Sequence, residues 1–206
     1  MPERLGPWPI LLGHCLRARA EGVESRSKST QGTGRLAHVN EYLQARYGNP
    51  CRGCGYEWSS GDDTCRQIVN EAPARFATLL SGRDGSERHP NLEWSASAYV
   101  AHTADNTRIW AERVAAVALG ASSPVASYDE DALGRARGYQ HLALQGCLWS
   151  LGRAVDDWQS AEALAGAHDV VLDHPEQGSL GLREVRGIVA HEVHHHAADV
   201  ARIVSG

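Results

Sequence analysis

The chain has 206 residues and 42% hydrophobic content, enough for one packed domain with an appendage, which excludes wholesale disorder. Its net charge of −5, with one lysine at Lys28 and arginines scattered among Asp and Glu, argues against nucleic acid as a partner, because a phosphate-binding face needs clustered cations. No apolar run approaches the roughly 20 residues that span a bilayer, and Trp8-Pro9-Ile10-Leu11-Leu12 is too short and proline-broken for a signal-peptide core. The expectation is a soluble, cytoplasmic protein with no membrane partner.

In chain order, residues 1–48 come first, and the stretch from Glu21 to Gly34 is polar and rich in Gly and Ser. Such a composition does not offset the entropy lost on ordering, so a flexible N-terminal arm is expected. Residues 49–61 form a segment around Cys51-Arg52-Gly53-Cys54-Gly55-Tyr56. C-x-x-C-G resembles a zinc knuckle, which supplies two of the four ligands of a closed site. Cys65 and His89 are candidates to complete it. A redox dithiol is another reading, and a third places the loop over the mouth of the domain with a thiol near its metal. The five cysteines, an odd number, do not suggest a disulfide framework. Cys147, in an apolar helical stretch, reads as core.

Residues 62–206 read as a helix bundle with four helical segments. The first runs from about Asp62 to Leu80, kinked or broken at Pro73. The second begins after the N-cap Ser95 and stops at Gly120. The third lies between Asp129 and Leu164 with a break near Gly134, Gly138 and Tyr139. Val170-Val171-Leu172 forms a short extended link ending at His174-Pro175. The fourth helix runs from about Leu180 to Val204. The fold class is therefore all-α, a four-helix bundle.

The last helix carries His191-Glu192-Val193-His194-His195-His196-Ala197-Ala198-Asp199. On a 3.6-residue helix Val185, Ile188, Val189, Val193, Val200 and Ile203 share one arc, which faces the core. His196 falls in the middle of that arc, and Glu192 and Asp199 also fall on it. His195 sits at its edge, His191 off it, and His194 points away. Two pairs at i, i+4 spacing compete to hold a metal: Glu192 with His196, and, as second choice, His191 with His195. The inward-facing pair is preferred, since a buried carboxylate beside a buried imidazole is costly unless a divalent cation compensates both. The plainer alternative is a solvated, His-rich terminus that binds metal only adventitiously.

On the second helix His102 lies beside the stripe of Tyr99, Ile109, Trp110 and Val117, with Asn106 and Arg113 on the same face. His102, Glu192 and His196 make a two-nitrogen, one-oxygen set suited to Zn²⁺, Ni²⁺ or another first-row ion, with a position left open for chemistry. Asp199, one turn beyond His196, is placed to orient a ligand imidazole. Asn106 and Arg113 are candidate substrate contacts. His191-Glu192-Val193-His194-His195 also matches H-E-x-x-H, the zinc-peptidase signature, but the extended pattern fails because Ala198 stands at its Gly position.

Trp94-Ser95-Ala96-Ser97-Ala98-Tyr99-Val100-Ala101-His102-Thr103-Ala104-Asp105 resembles the opening of the second helix in the DinB/YfiT-like superfamily. The run from Glu192 through His195 and His196 to Asp199 resembles that superfamily's closing H/E-x-x-H-H-x-x-D/Q element. The Glu at the first ligand position is similar to the branch of mycothiol-dependent maleylpyruvate isomerase N-terminal domains. The resemblance, over about residues 60–204, implies a bundle with a central divalent metal ligated by His102, Glu192 and His196. It also implies, as in some members, a low-molecular-weight thiol such as mycothiol as cosubstrate. The isomerase branch carries a further C-terminal domain that this sequence does not show, which weighs against isomerisation itself.

Two functions are expected from this. One is a metal-dependent transferase, hydrolase or isomerase acting on a small electrophile. The other is a non-catalytic, metal-stabilised bundle with a stress or regulatory role. A homodimer is compatible with either.

Overall fold

The computed structural model describes residues 41–206. Most of the expected N-terminal arm, with Cys15, lies outside these residues. Its last part differs from expectation, because Glu41–Tyr47 forms a helix, α1, that buries Leu43.

The bundle is built from the expected segments, and their ends follow local chemistry. The first segment breaks at its proline. Helix α2 (Asp62–Asn70) stops, and α3 (Ala72–Leu79) restarts with Pro73 in its first turn, where a missing N–H costs nothing. Helix α4 (Ala96–Ala118) is capped by Ser95, whose hydroxyl accepts from the Ala98 amide, and Gly120 follows at φ 95°. Helix α5 (Glu130–Arg137) is capped by Asp129 and ends at Gly138, φ 64°, a left-handed cap that a side chain would strain. After a 3₁₀ turn at Tyr139–His141, α6 spans Leu144–Ala165. The expected extended link is one strand of a hairpin: β1 (Val171–His174) pairs antiparallel with β2 (Gly178–Gly181), Leu172 opposite Leu180. Helix α7 (Leu182–Ser205) follows directly.

Helix α4 packs against both α6 and α7, and the broken helix α2–α3 closes the ring against α6 and α7. Fully buried Val69, Phe76, Val100, Val114, Leu151, Trp158, Val189 and Val193 fill the centre. Arg186 fixes the ring from the side. It is 4% exposed and donates to Glu162 on α6 and, at 2.7 Å, to Asp62 on α2, while Arg66 shares Glu162 at 3.0 Å. Among the described residues no helix is long and apolar enough to cross a membrane.

Candidate metal centre

Because α4 and α7 are neighbours, the polar residues on their facing sides meet. His102 Nε2 donates to Glu192 Oε1 at 2.9 Å, and His196 Nε2 reaches the same oxygen at 2.8 Å. All three ligand atoms lie within 4.8 Å of one another. Asp199 Oδ2 accepts from His196 Nδ1 at 2.9 Å, which turns the ring's other nitrogen toward Glu192. Arg202 in turn donates to Asp199. Burial alone would raise the Glu192 carboxyl, but the His196 charge and the hydrogen bonds from both imidazoles outweigh it and hold it well below its ordinary range. Burial would lower His196, and the charges of Glu192 and Asp199 overcome it and raise its pKa. The trio is thus an anion clasped by two imidazoles, a donor set that fits a divalent cation.

Two cavities flank the trio. One, of about 120 Å³, is lined by Trp94, Tyr99, His102, Glu130, His196 and Asp199, with Asn91, Leu92 and Glu93 at its margin. The Trp94 ring packs 4.9 Å from His102 and Tyr99 5.2 Å from His196. The second, of about 90 Å³, lies on the other side of Glu192 and is lined by Tyr42, Arg46, Tyr47, Asn106, Arg113, Tyr128 and Glu130, among others. Asn106 donates to the Tyr128 hydroxyl at 3.1 Å, and its own carbonyl oxygen is buried without a hydrogen-bond partner among the described residues. Arg113 lies over the Trp110 and Tyr128 rings and donates to the Ala126 carbonyl, so it is held as cavity wall. Glu130 lines both cavities from the exposed start of α5, and desolvation by the protein around its carboxyl together with the Glu192 charge raises its pKa. Sequence reasoning missed Glu130 and the α1 side chains. Glu130 reads as an ordinary first-turn acid, and α1 falls in the expected arm.

His191 and His195 face the opposite flank of α7. Both are buried, because the segment from α1 to Trp58 packs over them. The Trp58, Tyr47 and Tyr56 rings lie 4.5, 5.1 and 5.3 Å from His191. Cys51 Sγ lies 3.6 Å from His195 Nδ1. The Cys54 carbonyl is bonded to His194 Nε2 at 3.2 Å, so His194, expected to point away, also serves this contact. Burial lowers His191 to about 3 and His195 to about 4, and it pushes the Cys54 thiol up to about 12, against a backbone hydrogen bond from Tyr56. The expected completion of the knuckle by Cys65 and His89 is not what forms. Cys65 is instead 3.4 Å from the Tyr56 hydroxyl, and His89 accepts from the Asn91 amide on an exposed loop. The H-E-x-x-H arrangement is not formed either, since its two histidines turn to the cysteines while Glu192 turns to His102 and His196.

No protein-family model matches the chain, and no curated protein matches it in sequence. Among solved structures the fold is similar to YfiT from Bacillus subtilis, described as a probable metal-dependent hydrolase with an unusual four-helix bundle topology. The TM-score is 0.58 at 20% identity, over 69% of this chain and 85% of that one. The chain therefore shares the four-helix bundle fold of YfiT.

Proposed function

We propose that this protein is a metal-dependent enzyme that promotes nucleophilic attack on a small electrophilic substrate, hydrolysis being the first reaction to test. The observation that carries the reading is the convergence of His102 and His196 on one Glu192 oxygen between two cavities. His102, Glu192 and His196 would hold the ion, Zn²⁺ or another first-row metal. When bound, such an ion supplies Lewis acidity, polarising an electrophile and lowering the pKa of a nucleophile. Three protein ligands are the number used by catalytic rather than closed structural sites. The description of YfiT as a probable metal-dependent hydrolase supports the same chemistry.

The chain's own groups do the rest. Asp199 keeps the His196 Nδ1 proton and so presents Nε2 inward. Trp94 and Tyr99 shield one side from water, which strengthens electrostatics within. The Asn106 carbonyl offers an acceptor to a substrate N–H or O–H on the other side. Glu130, which lines both cavities, is placed to hold or pass a proton. Cavities of this size beside the trio suit a small substrate, with water or a low-molecular-weight thiol such as mycothiol as nucleophile.

The test is metal-loaded protein assayed against esters, amides and epoxides, with and without added thiols. Turnover is expected with wild type and lost with His102→Ala or Glu192→Ala, together with one bound ion. Unchanged metal content in both variants would sink the site. A metal-binding protein without turnover on any substrate would leave a non-catalytic bundle as the better account.

A further inference from the structure

We infer that Cys51, Cys54, His191 and His195 form a second, closed metal site of the Cys₂His₂ type, built for Zn²⁺, which pins the segment carrying α1 onto α7. The inference stands independently of the catalytic reading, because it uses different residues and a different flank of the helix.

One ligand atom from each of the four residues lies within 4.8 Å of the others. For zinc bonds of about 2.3 Å to sulfur and about 2.0–2.1 Å to nitrogen, a tetrahedral sulfur–nitrogen edge is about 3.5–3.6 Å. The Cys51 Sγ to His195 Nδ1 distance is 3.6 Å. Cys51, His191 and His195 are 2%, 4% and 3% exposed, and His191 Nε2 is buried with no hydrogen-bond partner among the described residues. Enclosing so many polar atoms is costly without a compensating ligand. Two thiolates and one divalent cation cancel in charge, so a zinc complex suits an enclosed, aromatic-walled position.

The loop is shaped for this approach. Gly55 takes φ 77° and returns its amide to the Cys51 carbonyl at 2.7 Å, while the Cys51 amide bonds the Tyr56 carbonyl at 2.8 Å. A Cβ on Gly53 would stand 2.7 Å from His195 Cε1, so only glycine lets the loop come this close to the imidazole. A redox role fits less well, since Cys51 is buried and Cys54 only partly exposed, and both sulfurs lie with two imidazoles in one cluster rather than facing solvent. Helix α7 thus carries two interleaved i, i+4 pairs, His191/His195 to one side and Glu192/His196 to the other. The pinned segment contributes Tyr42, Arg46 and Tyr47 to the cavity beside Glu192, so the closed site positions a wall of the open one.

The experiment loads full-length protein with Co²⁺ and reads ion content and the near-ultraviolet thiolate-to-cobalt charge-transfer band. Wild type is expected to show the band. The double variant Cys51→Ser/Cys54→Ser should lose the band and one ion, and His191→Ala/His195→Ala should bind one ion fewer with both thiols kept. The variant His102→Ala/Glu192→Ala should lose one ion yet keep the band, which separates failure of the two sites. Absence of the band in wild type, or unchanged ion content in the His191/His195 variant, overturns the inference. Should the variants not fold, alkylation of wild type decides it. Zinc should protect Cys51 and Cys54 from iodoacetamide relative to chelator-treated protein, and equal labelling in both overturns the site.

Discussion

At the scale of single residues, Asp199 and Gly53 matter without being ligands. Asp199 bonds the far nitrogen of His196 at 2.9 Å and is itself buried. Asp199→Asn keeps an acceptor but removes the charge, and is expected to weaken metal binding at the trio roughly 10–100-fold, measured by competition with a chromophoric chelator. Unaltered affinity would show that His196 needs no orienting charge. Gly53→Ala forces a Cβ against His195, at an expected cost of about 1–3 kcal/mol in denaturant unfolding. Gly55→Ala meets no atom within 4 Å and suffers only its positive φ, so it should cost about 1 kcal/mol or less. The opposite ranking would mean that loop conformation, not approach to His195, explains the glycines.

At the scale of elements, two buried polar knots hold helices in register. Arg186 joins α7 to α6 and α2 through Glu162 and Asp62. Arg186→Ala leaves the Glu162 carboxylate with Arg66 alone and should cost about 3 kcal/mol or more, read as a lower midpoint in urea. Asp105 on α4 accepts from Tyr139 at 2.6 Å, Arg108 at 2.7 Å and Arg137 at 3.0 Å, which docks the α5 region onto the bundle. Tyr139→Phe removes one of three donors and is expected to cost only about 1–2 kcal/mol. A loss as large as that of Arg186→Ala would place Tyr139 at the centre of the knot. These elements were legible as a sequence pattern: Ser95, Pro73, Gly120 and Gly138 mark their ends by local backbone chemistry. The second hairpin strand was not, since Gly178–Gly181 carries one large apolar residue, Leu180, and gains its conformation from pairing with β1.

At the scale of the molecule, the two proposed metal sites would couple ion binding to the fold. An ion that binds only the native chain stabilises it by about 4 kcal/mol at a thousandfold excess over its Kd. Chelation is therefore expected to lower the Tm of wild type, and to lower it less in His191→Ala/His195→Ala, which has already lost the clamp on α1. Calorimetry with and without chelator tests this, and identical Tm values in wild type would speak against any tightly bound structural ion.

The sequence by itself determined the helical elements, their caps, and the two i, i+4 pairs on α7, because each depends on neighbours within a few residues. It also singled out Glu192, His196 and His102 as residues turned toward the interior. Only the tertiary structure decided what each pair meets. Helical periodicity gives a side chain's direction about its own axis, but not which element covers that side. The flank bearing His191 looked like solvent until α1 and the Cys51–Cys54 loop packed on it. The same packing joined residues 144 positions apart, Cys51 and His195, at 3.6 Å.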